Sequence, residues 1–369
     1  MTLSFACSLA VAVCAVARTD TNGVAWVDGR DLPIEGRAYD DTERYFDRLP
    51  ANVSSNVNEN VRILRHDTAG MQFRFRTDSR RLRFRWSPYN KAPNMYHMPS
   101  TGHSGIDVYE RLPGGAWRYR ATGGIDFGKG ATGGSLDISW KPGADCLVNL
   151  PLYNGIDSFE LGLDRGVSAS ELEPRANGVT RPVVFYGTSI TQGGCASRPG
   201  MAFVSIVGRR LDVPVVNLGF SGGGWMEMEM CGHIARIDAS CYVLDCVANM
   251  GSRNGQPRPG RNVEDNYEPF IRRLRELRPG VPIVMAQLGS VRGQAQTEKN
   301  RFVAELFSRL REEGWTRLHL LPADSVFGAD GEGTVDGGHP NDYGMMQMAD
   351  AFGRVVGEAL GLQGLKAEM

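Results

Sequence analysis

Two short segments of the chain carry residues that could together activate a hydroxyl group. In the first, an apolar run ends at Gly187, and Ser189 follows two residues later. This pattern is typical of a buried strand that ends on a sharp turn. In the second, about 150 residues downstream, Asp336 and His339 lie three residues apart. A histidine that takes the serine proton while a carboxylate orients its ring makes serine a nucleophile. The two segments therefore predict nucleophilic acyl chemistry.

The segments that must position these residues alternate between strands and helices after residue 165. Short apolar runs predict strands at 182–186, 213–219, 241–247, 281–288 and 317–321. Helical patterns lie between and after them, at 201–211, 226–237, 266–277, 298–314 and 340–360. This order predicts an α/β domain over residues 180–363, with a parallel sheet covered by helices on both faces.

The chain before residue 165 has the two-residue periodicity of β-strands. Strand-like pieces separated by glycine-rich turns lie at 71–76, 81–86, 105–109, 116–120, 136–140 and 159–163. We expect an all-β sandwich of jelly-roll type over residues 24–165, joined to the second domain by a polar linker at 164–181. Arginine alternates with apolar residues between 71 and 86, which predicts strands with their arginines on the solvent face.

Four segments of the second domain are expected at one edge of its sheet, because groups that follow parallel strands gather beyond their carboxyl ends. Three of them follow predicted strands, at 186–189, 217–222 and 244–249. The fourth, 336–339, precedes the last predicted helix. Polar residues that are far apart in the sequence are therefore expected to meet at this edge.

These four segments, in this order, resemble the sequence blocks of the SGNH (GDSL-type) hydrolase superfamily. The resemblance implies a flavodoxin-like fold and the hydrolysis of carboxylic esters without a metal or cofactor. It assigns Ser189 as the nucleophile, His339 as the catalytic base and Asp336 as the partner of that base. Backbone N–H groups of Ser189 and Gly222 and the side-chain amide of Asn249 would stabilise the tetrahedral oxyanion.

The resemblance covers about residues 180–355 and departs from the family pattern at two positions. Thr188 stands where the name-giving pattern has Asp, and Asn249 lies in Val-Ala-Asn-Met where Gly-x-Asn-Asp is usual. Residues 30–163, including 104–109, resemble the N-terminal β-domain that precedes some of these esterases. The second departure leaves an alternative open, namely a non-catalytic glycan-binding protein with a degenerate esterase domain.

Two further features could also contribute to the site. The segment 219–223, Gly-Phe-Ser-Gly-Gly, matches the nucleophile elbow of α/β-hydrolases and makes Ser221 an alternative nucleophile. In that fold, however, the acid normally lies on a different loop from the histidine. His97 and His103 lie in a predicted loop that could reach the rim of the site.

Composition and the N-terminus limit the partners and the location. The formal net charge of −1 gives no reason to expect a nucleic-acid partner, and no segment after residue 17 is apolar enough to span a membrane. The apolar stretch 3–17 ends in Ala-Val-Ala, which predicts a signal peptide over 1–17 and a secreted or periplasmic protein, the alternative being a cytoplasmic one. By analogy, an exported esterase with a β-sandwich is expected to remove short acyl groups, above all acetyl, from carbohydrates. The oligomeric state is left open.

Overall fold

The computed structural model describes residues 18–53, 55–91, 95–251, 259–289, 297–328 and 330–362. Within these ranges the chain forms two antiparallel sheets followed by one parallel sheet. The predicted signal peptide, residues 1–17, lies outside the described residues, so export remains a prediction. None of the helices in the described ranges combines the length and the apolar composition that crossing a membrane requires.

The first half of the chain forms two sheets packed face to face, as its two-residue periodicity predicts. Its strands are β1 (Arg18–Thr19), β2 (Val24–Asp28), β3 (Ile34–Glu35), β4 (Gln72–Thr77), β5 (Arg81–Pro88), β6 (Ile106–Arg111), β7 (Trp117–Gly123), β8 (Gly134–Ser139), β9 (Ala144–Asn149), β10 (Ile156–Asp164) and β11 (Ala169–Ser170). One sheet has the order β1-β2-β10-β5-β8, and the other β11-β4-β9-β6-β7 with β3 beside β4. Buried aromatic rings fill the space between them, and those of Phe73 and Phe159, from opposite sheets, lie 4.6 Å apart.

The two strands with alternating arginines, β4 and β5, lie in different sheets, although only three residues separate them. The prediction that their arginines face solvent is wrong for Arg74, whose side chain is buried. Arg74 donates to Glu35 at 2.8 Å and lies 3.6 Å from the Asp212 carboxylate, which belongs to the second half of the chain. The second half therefore covers this part of the sheet, which sequence periodicity alone could not indicate.

The second half forms the predicted parallel sheet. Its strands are β12 (Val183–Gly187), β13 (Val215–Gly219), β14 (Cys241–Asp245), β15 (Ile283–Ala286) and β16 (Leu318–Leu321), in the order β13-β12-β14-β15-β16. This is the 2-1-3-4-5 order of flavodoxin-like sheets, so the predicted fold class is confirmed. The helices of the described chain are α1 (Glu59–Leu64), α2 (Ser100–His103), α3 (Ser189–Gln192), α4 (Phe203–Leu211), α5 (Met228–Ala235), α6 (Val263–Leu277), α7 (Glu298–Glu312) and α8 (Asp342–Leu360).

Strand β12 is buried along its whole length and contributes to the core on both faces of the sheet. On one face, Phe185 packs against Phe203 of α4 and Phe352 of α8, with ring centroids 5.8 and 6.3 Å away. On the other face, Tyr186 stacks on Phe270 of α6 at 5.6 Å. Because successive side chains of a strand point to opposite faces, this continuous apolar run anchors the strand that ends just before Ser189.

The two halves of the chain are joined by a buried arginine in the loop between β3 and α1. Only 1% of Arg48 is exposed, and its guanidinium donates to the backbone carbonyls of Leu64 (2.8 Å), Asp67 (2.9 Å), Asn217 (3.2 Å) and Gly219 (2.6 Å). Burial lowers the pKa of Arg48 to about 10, so the group remains charged at neutral pH. It therefore links the N-terminal half to the end of β13.

Replacing Arg48 with Met should lower the free energy of unfolding by about 3–5 kcal/mol, because several buried carbonyls lose a charged donor. Urea denaturation followed by tryptophan fluorescence would measure the loss. Arg81→Met is the matched control, since the Arg81 side chain is 53% exposed in its pair with Asp137 and should contribute less than about 1 kcal/mol. Equal losses for the two variants would contradict the role given to Arg48.

Candidate active site

Strand β12 ends on a turn that presents Ser189. At the last position of the strand, a Cβ on Gly187 would lie only 2.0 Å from Thr191 Oγ1, so a side chain does not fit there. Thr188 then caps α3, and its hydroxyl oxygen accepts the N–H of Ile190 at 3.3 Å. Thr188 thus supplies a side-chain oxygen at the position where the family pattern has Asp, and the turn keeps its cap.

The predicted nucleophile, base and acid lie within hydrogen-bonding distance of one another. Ser189 Oγ is 3.0 Å from His339 Nε2, and His339 Nδ1 is 2.8 Å from Asp336 Oδ2. The side chains of His339 and Asp336 are 31% and 44% exposed, so solvent and a substrate can reach them. The structure therefore brings together residues that are separated by about 150 positions in the sequence.

Asp336 uses its two carboxylate oxygens for two different contacts. Oδ1 accepts the backbone N–H groups of Gly338 (2.9 Å) and His339 (2.7 Å), which closes the loop, while Oδ2 faces the imidazole. Partial burial raises the pKa of Asp336, but these hydrogen bonds outweigh it and hold the pKa below its ordinary value. The group is therefore an ionised acceptor at neutral pH, which places the His339 proton on Nδ1 and leaves Nε2 as an acceptor toward Ser189.

The other two predicted residues lie on neighbouring loops at the same edge of the sheet. Gly222 has a φ of 70°, in the left-handed region that favours glycine. The side-chain amide of Asn249 donates to the carbonyl of Gly223 at 2.8 Å. Gly224 is packed so closely on β12 that a Cβ would lie 2.4 Å from the carbonyl oxygen of Gly187. The 222–224 loop and the Asn249 amide therefore lie beside the end of β12.

The turn that carries Asn249 departs from the family pattern in sequence, but the side chain of Lys299 stabilises its backbone. Residues Val247–Asn249 form a single 3-10 turn after β14. Lys299, on α7, donates its ammonium group to the carbonyls of Val247 (3.2 Å) and Met250 (2.9 Å). A cation from a neighbouring helix thus stabilises the turn, and the Asn keeps its place at the sheet edge.

A tyrosine from the N-terminal half contacts the backbone of the predicted nucleophile, and sequence reasoning missed it. The Tyr153 hydroxyl donates to the carbonyl of Ser189 at 2.9 Å, beside the N–H of Gly194 at 2.8 Å. Burial raises the pKa of Tyr153, so the phenol stays protonated and remains a donor. Tyr153 lies in the loop between β9 and β10, and a lone tyrosine in a loop gives no signal in the sequence that could have identified this contact.

A second missed contact connects Asp67 to the loop before Gly222. Gln192, the last residue of α3, donates to the buried Asp67 carboxylate at 2.8 Å and accepts the N–H of Ser221 at 2.8 Å. Burial raises the pKa of Asp67 to about 7. Ser221, the alternative nucleophile, is thus held through its backbone by Gln192, while the imidazole of His339 contacts Ser189.

The two loop histidines occupy different surroundings. The centroid of the His97 ring lies 5.8 Å from that of His339, so this part of the loop reaches the rim of the site, as the sequence suggested it could. His103 is buried instead, with Nδ1 2.8 Å from Ser104 Oγ, and burial lowers the pKa of His103 to about 4. Of the two, the structure brings only His97 to the site.

Comparisons with known families match both halves of the chain. Residues 180–357 match the GDSL-like lipase/acylhydrolase family. Residues 24–168 match the family described as the N-terminus of SGNH-hydrolase-type esterases. A comparison with curated protein sequences found no match.

Three solved structures share the fold over most of their length. A protein from Bacteroides ovatus ATCC 8483 that is assigned as a GDSL-like lipase is 28% identical, with a TM-score of 0.78 over 92% of this chain and 98% of that one. The salicylyl-acyltransferase SsfX3 from a tetracycline biosynthetic pathway is 18% identical, with a TM-score of 0.70 over 94% and 100% of the two chains. A family two carbohydrate esterase from Clostridium thermocellum, in complex with cellohexaose, is 15% identical, with a TM-score of 0.56 over 79% and 93%. At 18% and 15% sequence identity, the similarity to the acyltransferase and to the carbohydrate esterase concerns the fold alone.

Proposed function

Because the chain belongs to the SGNH (GDSL-type) hydrolase superfamily and is an ester hydrolase, we propose that Ser189, His339 and Asp336 are its catalytic triad. The observation that carries this proposal is the continuous pair of contacts from hydroxyl to imidazole to carboxylate, at 3.0 and 2.8 Å. The alternative of a non-catalytic glycan-binding protein predicts a degenerate site, and these contacts argue against it.

In the proposed mechanism, His339 Nε2 takes the proton of Ser189 as the hydroxyl oxygen attacks the ester carbonyl carbon. The resulting imidazolium donates that proton to the leaving alcohol, and an acyl-enzyme remains on Ser189. His339 then takes a proton from water as the water oxygen attacks the acyl carbon. The imidazolium returns this proton to Ser189 Oγ as the bond from Oγ to the acyl carbon breaks, which releases the carboxylic acid and restores the hydroxyl. Asp336 keeps the ring in one orientation and stabilises its charged form throughout both steps.

The tetrahedral oxyanion would be stabilised by three donors: the backbone N–H groups of Ser189 and Gly222 and the side-chain amide of Asn249. The positions of the 222–224 loop and of Asn249 beside the end of β12 support this part of the proposal. The contact from Gln192 to Ser221 fixes the residue just before Gly222. Donors that are already oriented need no rearrangement when the charge develops.

Replacing Asn249 with Ala should lower kcat for p-nitrophenyl acetate by about 10²–10³-fold, as expected for the loss of one oxyanion donor. The melting temperature should change little, because the side chain is only partly buried. Asn22→Ala, in an exposed turn before β2, is the control and should leave kcat unchanged. An Asn249→Ala enzyme with the wild-type kcat would remove this residue from the oxyanion site.

For the substrate, we propose short acyl esters of carbohydrates, with acetyl as the main acyl group. An open depression of about 340 Å³ borders the site and is lined by Asp330, Gly331, Glu332, Thr334, Val335, Asp336 and Gly337. Such a polar lining suits hydroxyl-rich groups and offers little apolar surface to a long acyl chain. The likeness of the fold to a carbohydrate esterase that was solved with cellohexaose also supports this class.

The substrate proposal is tested by measuring acetate released from a panel of acetylated oligosaccharides, alongside p-nitrophenyl acetate and p-nitrophenyl octanoate. The expected result is acetate release from at least one acetylated oligosaccharide, with kcat/KM for the acetate ester above that for the octanoate ester. A higher kcat/KM for octanoate, with no acetate released from any oligosaccharide, would replace the carbohydrate proposal with a lipid ester.

A further inference from the structure

Three side chains that are distant in the sequence converge beside the catalytic residues. One nitrogen of His97, the sulfur of Cys195 and one nitrogen of His339 all lie within 4.8 Å of one another. The proposed ester hydrolysis uses His339 but gives no chemical task to His97 or Cys195. Imidazole nitrogen and thiolate sulfur are ligands that Zn²⁺ and other borderline or soft cations prefer.

His97 has an imidazole nitrogen whose bonding capacity is not used. Its Nδ1 is shielded from solvent and has no hydrogen-bond partner among the residues that the structure describes. A shielded polar atom without a partner is unfavourable, and it often marks a position that a water molecule or an ion fills. The centroids of the His97 and His339 rings lie 5.8 Å apart, and one His97 nitrogen lies within 4.8 Å of the Cys195 sulfur, so His97 can supply a nitrogen to a ligand bound between these side chains.

Cys195 is held at the site by an unusual backbone conformation. Its φ of 72° lies in the left-handed region, which residues other than glycine rarely adopt, and the N–H of Ala196 closes the turn onto Gly193 at 3.2 Å. The residue is buried, and burial together with the nearby Asp336 carboxylate raises the pKa of the Cys195 thiol to about 12. The free side chain is therefore a thiol, and a bound cation would have to displace its proton to the solvent.

His339 already has the orientation that a metal ligand requires. The Asp336 carboxylate accepts from Nδ1, which leaves the lone pair of Nε2 directed away from the carboxylate. A carboxylate in this position orients histidine ligands in many zinc sites. The same lone pair accepts the proton of Ser189, so the hydroxyl and a cation would compete for one atom.

We propose that His97, Cys195 and His339 bind one Zn²⁺ ion and that the bound ion inhibits ester hydrolysis. Tetrahedral zinc with Zn–N of about 2.0–2.1 Å and Zn–S of about 2.3 Å sets its ligand atoms about 3.3–3.6 Å apart. The three side chains must therefore close by about 1 Å, which side-chain rotation can supply, and a water molecule or a substrate oxygen would complete the coordination. Binding rests on the three ligands alone, whereas inhibition also rests on the proposed role of His339 as the base.

The binding test is calorimetric titration of the full-length protein with Zn²⁺ in two buffers of different ionisation enthalpy. One ion should bind per chain and release about one proton, from the Cys195 thiol. Cys195→Ser and His97→Gln should each weaken binding at least tenfold, since even indirect supports of metal ligands contribute about 10–100-fold to affinity. Cys231→Ser and His319→Gln are matched controls outside the cluster and should bind as the wild type does.

The activity test measures hydrolysis of p-nitrophenyl acetate against free Zn²⁺ set by a chelator buffer. The wild type should lose activity as the site fills and regain it with EDTA. Cys195→Ser and His97→Gln, each compared with its own rate in the absence of Zn²⁺, should need at least tenfold more Zn²⁺ for the same fractional inhibition. Equal Zn²⁺ affinity in the wild type and both variants, or no binding at all, would overturn the site.

Ser189→Ala separates this inference from the proposed function. It removes the hydroxyl that competes for His339 Nε2, so it should bind Zn²⁺ at least as tightly as the wild type. If Ser189→Ala retained full esterase activity, the triad would be wrong, yet weaker zinc binding by Cys195→Ser would still support the site. If Ser189→Ala were inactive and wild-type activity were insensitive to saturating Zn²⁺, the inhibitory role would be overturned while the triad stood.

Discussion

Replacing Ser189 with Ala should lower kcat for p-nitrophenyl acetate by about 10⁴–10⁶-fold, because the variant has no oxygen that can form the acyl-enzyme. The side chain is small and lies at the start of a short helix that Thr188 caps through its own hydroxyl, so the fold should be unaffected. Residual hydrolysis should reflect the oxyanion donors and substrate binding, which do not require the nucleophile. Stopped-flow and steady-state assays would measure the loss, and the circular dichroism spectra of the variant and the wild type would be compared to check that both are folded.

Ser221→Ala is the matched control for this prediction. Ser221 also follows a strand, and its segment has the nucleophile-elbow pattern, but its backbone N–H is held by Gln192 and the imidazole of His339 contacts Ser189. Ser221→Ala should therefore stay within about tenfold of the wild-type kcat, a range set by its place beside the proposed oxyanion loop. Full activity in Ser189→Ala together with an inactive Ser221→Ala would reverse the assignment.

Replacing Asp336 with Asn should lower kcat by about 10⁴-fold, the loss expected when the carboxylate of a triad can no longer fix the tautomer of its histidine. The Asn side chain can still accept the backbone N–H groups of Gly338 and His339, so the loop should keep its shape. What it cannot do is stabilise the imidazolium with a negative charge. The effect should appear in kcat with KM little changed, since Asp336 would act on the transition state rather than on the bound substrate.

Asp330→Asn provides the comparison for Asp336→Asn. Asp330 lines the same depression and carries the same charge, and its Oδ1 accepts the N–H of Glu332 at 3.1 Å without a contact to His339. Its replacement should leave kcat within about threefold, as expected for a surface carboxylate away from the reacting atoms. Equal losses in the two variants would mean that the charge of the loop, and not the contact to His339, controls the rate.

The sequence predicted those parts of the fold in which a buried position requires an apolar residue. The run from Val183 to Tyr186 reads as a strand buried on both faces, and Phe185 and Tyr186 indeed face opposite layers of the core. Ser189 and His339 could be placed at one sheet edge because parallel strands end there. Helix ends shifted by a few residues, as at the last helix, which begins at Asp342 after the Asn341 cap.

The parts that escaped the sequence depend on contacts between the two halves of the chain. Arg74 has the spacing of a solvent-facing residue in an amphipathic strand, but it is buried where it meets Glu35 and, from the second half of the chain, Asp212. Tyr153 lies in an ordinary loop between β9 and β10, and its contact with Ser189 exists only because the halves pack together. Such contacts leave no periodicity or motif, so local sequence patterns cannot reveal them.

The contacts of Tyr153 and Asp67 have a consequence for how this enzyme could be divided or recombined. The backbone of the proposed nucleophile and the residue before the proposed oxyanion loop are both held by contacts from outside the parallel sheet. A fragment comprising only residues 180–363 would lack those anchors and would expose the apolar faces that Val57 and Val61 now cover. Substitutions in the β-sandwich can therefore impair turnover without contacting a reacting atom. A fusion of this hydrolase domain to a different N-terminal domain would also have to reproduce the contacts of Tyr153 and Asp67.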